Sequence, residues 1–176
     1  MIHYRTIDSP IGLLTLAGRG SVLTNLRMVE QTYEPSHAGW ARDPAVFSDA
    51  VEQLNAYFAG ELTDFDIELD LRGTEFQQRV WKALLTIPYG ETRSYGEIAA
   101  QVGAPGSARA VGLANGHNPI AIVVPCHRVI GADGSLTGYG GGLDRKRTRG
   151  IVNTCGSGSV GLGRFMAVVG GRAVRR

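Results

Sequence analysis

Asn118-Pro119-Ile120-Ala121-Ile122-Val123-Val124-Pro125-Cys126-His127-Arg128-Val129 is the stretch from which the fold and the chemistry of this chain are read. Ile120 to Val124 is wholly apolar and rich in β-branched side chains, which predicts a short strand buried on both faces. Pro125 has no N–H to give a sheet ladder, so the strand should stop there. A thiol, an imidazole and a guanidinium then come in succession. A lone buried Cys is usually a packing residue. Next to Pro, His and Arg it reads instead as a reactive thiol at the mouth of a buried segment.

Working upstream, Thr74-Glu75-Phe76-Gln77 is a capping box, with Phe76, Val80, Ala83 and Leu84 as the apolar stripe of the helix it opens. Ile87-Pro88-Tyr89-Gly90 breaks that helix. Ser94-Tyr95-Gly96-Glu97 is a second capping box, opening a short helix that buries Ile98 and Val102. Gly103-Ala104-Pro105-Gly106 turns the chain, and Ser107 can cap a third helix running to about Asn115. Helix, tight turn, helix is the outline of a helix-turn-helix, although domains that bind no DNA share it. The third helix is built of small residues, Ala108, Ala110, Val111, Gly112, Ala114 and Gly116, with Arg109 as its one long charged side chain. Gly112 alone costs the helix ~1 kcal/mol against Ala. Such a surface suits something that approaches the backbone closely, or tight packing against another helix. Downstream, Ala132-Asp133-Gly134-Ser135 reads as a turn. Tyr139-Gly140-Gly141-Gly142 reads as a loop, either plain surface or closely approached by a ligand.

The first 71 residues predict a small α+β unit. Ile11 to Leu16 and Val22 to Met28 read as strands joined at Gly18-Arg19-Gly20. Residues 30–42 are polar and read as loop. Asp43-Pro44 starts a helix, with Asp43 as its cap. Val46, Ala50, Leu54, Tyr57 and Phe58 form its buried face, and Gly60 ends it. Phe65-Asp66-Ile67-Glu68-Leu69 alternates as a half-buried strand. No chemistry is visible in this unit. Leu71-Arg72-Gly73 is its boundary with the Cys-bearing unit.

The 176 residues suffice for one domain or two small ones, and two cysteines give neither a disulfide framework nor a zinc set. No stretch reads as a signal peptide or membrane span, so a reduced, cytoplasmic setting is expected. The net charge of +2 is unevenly spread. Residues 1–71 carry 4 basic and 11 acidic side chains, whereas residues 72–147 carry 9 and 5. A basic module suits a phosphate-backbone partner, though solvated surfaces can look the same.

Pro125-Cys126-His127-Arg128-Val129 resembles the active-site signature of the O6-alkylguanine-DNA alkyltransferases. The resemblance extends from about residue 74 to about Arg147, and more weakly over residues 1–70. It implies an α+β fold. Residues 1–71 would form a supporting sheet-plus-helix domain, zinc-bearing in some relatives, but this chain lacks the cysteines for that. Residues 74–147 would form a mostly helical DNA-binding domain with a helix-turn-helix and a short buried active-site strand. The implied activity is irreversible transfer of an alkyl group from flipped O6-alkylguanine in duplex DNA to the protein's own Cys126, without turnover and without a cofactor. O4-alkylthymine is a second candidate base. No apolar surface stripe suggests a protein partner, so a monomer is expected.

The resemblance also assigns roles. Cys126 would be the nucleophile. His127 would be its base through a bridging water, since neighbours on an extended chain point apart. Tyr95 would donate a proton to the purine N3. The third helix, through Ala108, Arg109, Ala110, Gly112 and Ala114, would enter the minor groove, with Arg109 filling the gap left by the flipped base. Asn118 would tie the helix-turn-helix to the active strand. Val129, Tyr139 and Gly140 would line the base pocket. Arg128 fits an interior ion pair better than catalysis.

The resemblance breaks after Arg147. The family places a Glu behind the His, at the end of a helix carrying two Leu, and by spacing it should fall at position 153, where this chain has Asn153. From Arg145 to Arg176 there is no Asp or Glu, and residues 148–176 hold seven Gly. A change of coding frame near Thr148 would produce such a tail, and alternative reading frames lacking a Leu-Leu…Glu helix would count against it. A genuine phosphate-binding tail is the competing reading. Either way Asn153 supplies no negative charge to His127, which predicts a slow or inactive transferase. Two other function classes remain open: a protein that binds alkylated DNA without repairing it, and a cysteine hydrolase that turns over and needs no DNA.

Overall fold

The computed structural model describes residues 1–28 and 36–131. Tyr139, Gly140, Asn153 and the tail lie outside the described residues. The architecture is α+β, as the sequence predicts: an N-terminal sheet and helix, then a helical half. Strands β1 (Ile2–Ile7), β2 (Leu14–Arg19), β3 (Val22–Met28) and β4 (Trp40–Arg42) form one sheet in the order β3-β2-β1-β4. β1, β2 and β3 pair antiparallel, while β4 runs parallel to β1. β4 falls in the stretch that reads as loop in the sequence. The register shifts between Ala17 and Gly18, where a Cβ on Gly18 would run into the Val22 carbonyl.

Helix α1 spans Ser48–Phe58, so it starts later than Asp43-Pro44 suggests. Asp43 does cap, but it caps a turn, its Oδ1 accepting from Ala45 N at 2.9 Å. Phe47, at φ 57°, then redirects the chain into the helix. Ala50, Leu54 and Tyr57 are buried as expected. Residues 65–69 keep the predicted alternation of half-buried Phe65, Ile67 and Leu69 with exposed Asp66 and Glu68. They make only one bridge, Leu69 to Leu23 of β3, rather than a full strand.

Helices α2 (Glu75–Leu84) and α3 (Tyr95–Gln101) both open on the predicted capping boxes, with every bond in place. Helix α4 spans Ala108–Gly116, and Ser107 precedes it without a side-chain cap bond, contrary to expectation. α4 packs on α2 and α3, and Trp81 Nε1 of α2 donates to the Ala114 carbonyl at 2.8 Å. Two residues before α3, β5 (Arg93–Ser94), pair in parallel with two others, β6 (Val129–Ile130).

The main correction concerns residues 120–124. They are fully buried, but they form a turn rather than a strand. Ala121 bridges Val124, Val124 N donates to the Ile120 carbonyl, and Ile122 sits at φ 73°. An apolar run satisfies burial in either conformation, and no Gly or Asn marks the left-handed position. The turn docks on the N-terminal sheet: Leu26 N of β3 donates to the Pro119 carbonyl at 2.9 Å, and Ala121 N donates to the Leu26 carbonyl at 3.0 Å. The apolar core is continuous from Leu14 and Leu26 through Leu54 and Trp81 to Ile120 and Val129.

Candidate active site

After the turn, Cys126, His127 and Arg128 form a single 3-10 turn leading into β6. All three are buried, Cys126 at 9 % exposure and His127 at 3 %. The Cys-His pair is therefore helical rather than extended, contrary to the expectation from sequence. Three residues per turn sets the Cys126 and His127 side chains about 120° apart around the turn.

Two amides hold this segment. Asn118, predicted as the tie between the helix-turn-helix and the active segment, braces the preceding turn: its Nδ2 donates to the Val124 carbonyl at 2.8 Å, and its Oδ1 accepts from Ile120 N at 3.0 Å. Asn115, on the inner side of α4, donates from Nδ2 to the Cys126 carbonyl at 3.2 Å. Sequence reasoning missed Asn115. The available signal was an amide four residues after Val111, on the face of α4 that turns inward.

Among the described residues, neither ring nitrogen of His127 has a hydrogen-bond partner. Burial first, and then the neighbouring Arg128 charge, push the imidazole down to about 3. At neutral pH His127 is thus unprotonated, the form able to accept a proton. Both burial and Arg128 oppose the cation that acceptance would create.

Arg128 is interior, as expected, but its described partners include no carboxylate. Nη1 donates to the Ile87 carbonyl at 2.8 Å, Nη2 reaches the Tyr57 hydroxyl at 3.4 Å, and the guanidinium lies 5.7 Å from the Tyr89 ring centroid. The residue after the Cys-His pair therefore contacts α1 of the N-terminal half. Burial raises the Tyr57 pKa and the Arg128 charge opposes that rise.

Tyr95 is the first residue of α3 and is buried. The β5–β6 ladder, with Ser94 opposite Ile130, brings the start of α3 against the chain leaving the Cys126 turn. Val129 is buried at the head of β6. On α4, Arg109 and Ala110 are exposed, Ala108 is half-buried, and Leu113 is 51 % exposed. Gly112 and Ala114 are buried, so their small size serves packing on α2 and α3 rather than an outward surface.

Comparison with known proteins agrees with this geometry. A family model described as "6-O-methylguanine DNA methyltransferase, DNA binding domain" matches residues 75–149, and the family's "ribonuclease-like domain" matches residues 2–71. The methylated-DNA–protein-cysteine methyltransferase of Mycobacterium tuberculosis (strain H37Rv) is 84% identical over 147 residues, covering 84% of this chain and 89% of its own. This chain belongs to the 6-O-methylguanine DNA methyltransferase family. The methylated-DNA–protein-cysteine methyltransferase of Methanosarcina acetivorans is 54% identical over 147 residues, covering 82% of this chain and 94% of its own. The crystal structure of M. tuberculosis OGT in complex with DNA matches with a TM-score of 0.77 at 82% identity, covering 82% of this chain and 88% of that one. Among the described residues, no helix of this methyltransferase-family chain is long and apolar enough to cross a membrane.

Proposed function

We propose that this chain is a single-turnover DNA repair protein that binds duplex DNA through α4, extrudes O6-alkylguanine and moves the alkyl group onto Cys126 Sγ. The observation that carries this reading is the high identity to methylated-DNA–protein-cysteine methyltransferases with Pro125-Cys126-His127-Arg128 in place at the core of the fold. The M. tuberculosis relative, whose structure was solved in complex with DNA, supports DNA as the partner. Exposed Arg109 and Ala110 on α4 suit a close approach to the groove, with Arg109 taking the place of the extruded base.

In the step itself, Sγ attacks the alkyl carbon and the S–C bond forms as the C–O6 bond breaks. The electron pair passes to guanine O6 and the purine ring. The thiol proton leaves through a water toward neutral His127, and the Tyr95 hydroxyl offers a proton to the purine N3. Protonated His127 then returns its proton through solvent to the Tyr95 phenolate, so that net one proton passes from the thiol to guanine and the thioether remains on the protein. Val129, Asn118, Tyr139 and Gly140 are assigned to the base pocket and its support. Residues 1–71 act as the supporting unit and residues 74–147 as the reacting one, working as a monomer. A thiol nucleophile fits a reducing cytoplasm.

The second reading, binding without repair, draws on Asn153 standing where the family places Glu. Lesion loss from a duplex containing one O6-methylguanine, measured by chromatography of the digested DNA, tests both. Single-turnover repair predicts a plateau at one lesion per protein molecule. Continued turnover would indicate a hydrolase, and a bound but unchanged duplex would leave recognition alone.

A further inference from the structure

We infer that Asn115 is a positioning residue for the transfer, holding the Cys126 main chain at a fixed place relative to helix α4. The inference rests on the transferase reading above. α4 has two unlike sides. Arg109, Ala110 and Leu113 are exposed on one, and Val111 and Asn115 are buried on the other. Asn115 is 1 % exposed, and its amide reaches across to the Cys126 carbonyl. That carbonyl also receives the Val129 N–H that closes the 3-10 turn, so Asn115 is not needed merely to satisfy it.

The arrangement is costly for a position that only packs. Asn115 Oδ1 is buried without a hydrogen-bond partner among the described residues, where an aliphatic side chain would leave no polar atom unmet. Asn118 braces residues 120–124 through both its amide nitrogen and its oxygen. The Asn115 bond is a side-chain link from the helix assigned to DNA to the residue that reacts. Displacement at carbon demands alignment of sulfur, carbon and leaving oxygen, and a shift of a fraction of an ångström in the nucleophile is felt in the rate. Docking of α4 on a duplex and placement of the thiol are coupled through this amide.

Asn115→Leu tests the idea, because it keeps the branched four-atom side chain, at a somewhat larger volume, and removes the donor. Asn115→Ala serves as the second variant if the first fails to fold, and melting temperatures establish that each is folded. Two rates are read: methyl transfer under single-turnover conditions over a range of duplex concentrations, and carbamidomethylation of Cys126 by iodoacetamide. Positioning predicts that the limiting transfer rate falls about tenfold or more while the half-saturating duplex concentration is unchanged. It also predicts faster modification by iodoacetamide, by about threefold or more, as the thiol loses its fixed setting. An unchanged limiting rate, or a loss confined to the half-saturating concentration, overturns the inference. If the parent protein transfers nothing, the transferase reading fails. The iodoacetamide rate then still decides: faster in the variant at equal melting temperature supports positioning, and equal rates overturn it.

Discussion

His127 shows how position changes a side chain whose identity is plain in the sequence. Burial lowers its pKa from the ordinary 6.5 to about 3, with Arg128 adding to the effect. Between these values the unfolded chain holds a proton that the folded chain does not. The stability contributed by neutral His127 is therefore complete above pH 6.5 and is lost as the pH falls toward 3. The melting temperature of the protein should drop more between pH 7 and pH 4 than that of His127→Gln, as measured by circular dichroism. Parallel curves for the two would mean that the imidazole is not held in its neutral form. Cys126 and His127 can be picked out of the sequence because reactive residue types stand together. Asn115 cannot, because its partner is a backbone carbonyl eleven positions away and only the fold brings them together.

At the scale of elements, local signals are legible in the sequence and nonlocal ones are not. The capping boxes at Thr74 and Ser94 are closed within four residues, and both form as predicted. β4 is three residues long and exists by pairing with β1, so nothing in Trp40-Ala41-Arg42 announces it. β5 and β6 are equally dependent on each other, at two residues apiece. The turn at residues 120–124 looks like a strand in sequence because hydrophobic burial does not depend on backbone direction. Its left-handed Ile122 is a strained choice, costing on the order of 1–3 kcal/mol for a β-branched residue, and it persists because the surrounding packing and the Asn118 bonds fix the loop. Ile120 and Ile122 are both fully buried. Replacing either with Gly removes similar packing, roughly 2–5 kcal/mol, but only Ile122→Gly also relieves strain. Chemical denaturation should show Ile122→Gly to be the less destabilised of the two by about 1 kcal/mol or more. Equal losses would mean that the left-handed residue carries no strain.

Over the whole molecule, the N-terminal half holds the segment around Cys126. β3 bonds directly to residues 119–121, and Arg128 spans from the Cys-His pair to Tyr57 of α1. Residues 1–71 show no chemistry in sequence, yet the turn before Cys126 is built on them. Charge can be read without the fold, since basic residues concentrate in the Cys-bearing half and in the tail. The meaning of that tail lies in its departure from the family. Asn153 lacks the charge that would stabilise a protonated His127, and burial together with Arg128 already disfavours that cation. A version of the chain in which the family's Leu-Leu…Glu helix replaces the segment after Arg147 should transfer methyl faster, by about tenfold or more, in single-turnover kinetics. Equal rates would show that the missing carboxylate is dispensable.

The most direct measurement is the intact mass of the protein after incubation with a duplex holding one O6-methylguanine. A gain of one methylene, about 14 Da, mapped to the Cys126 peptide and absent from Cys126→Ala, is the predicted result. An unchanged mass while the lesion disappears from the DNA, or a gain on any other residue, would contradict transfer to Cys126.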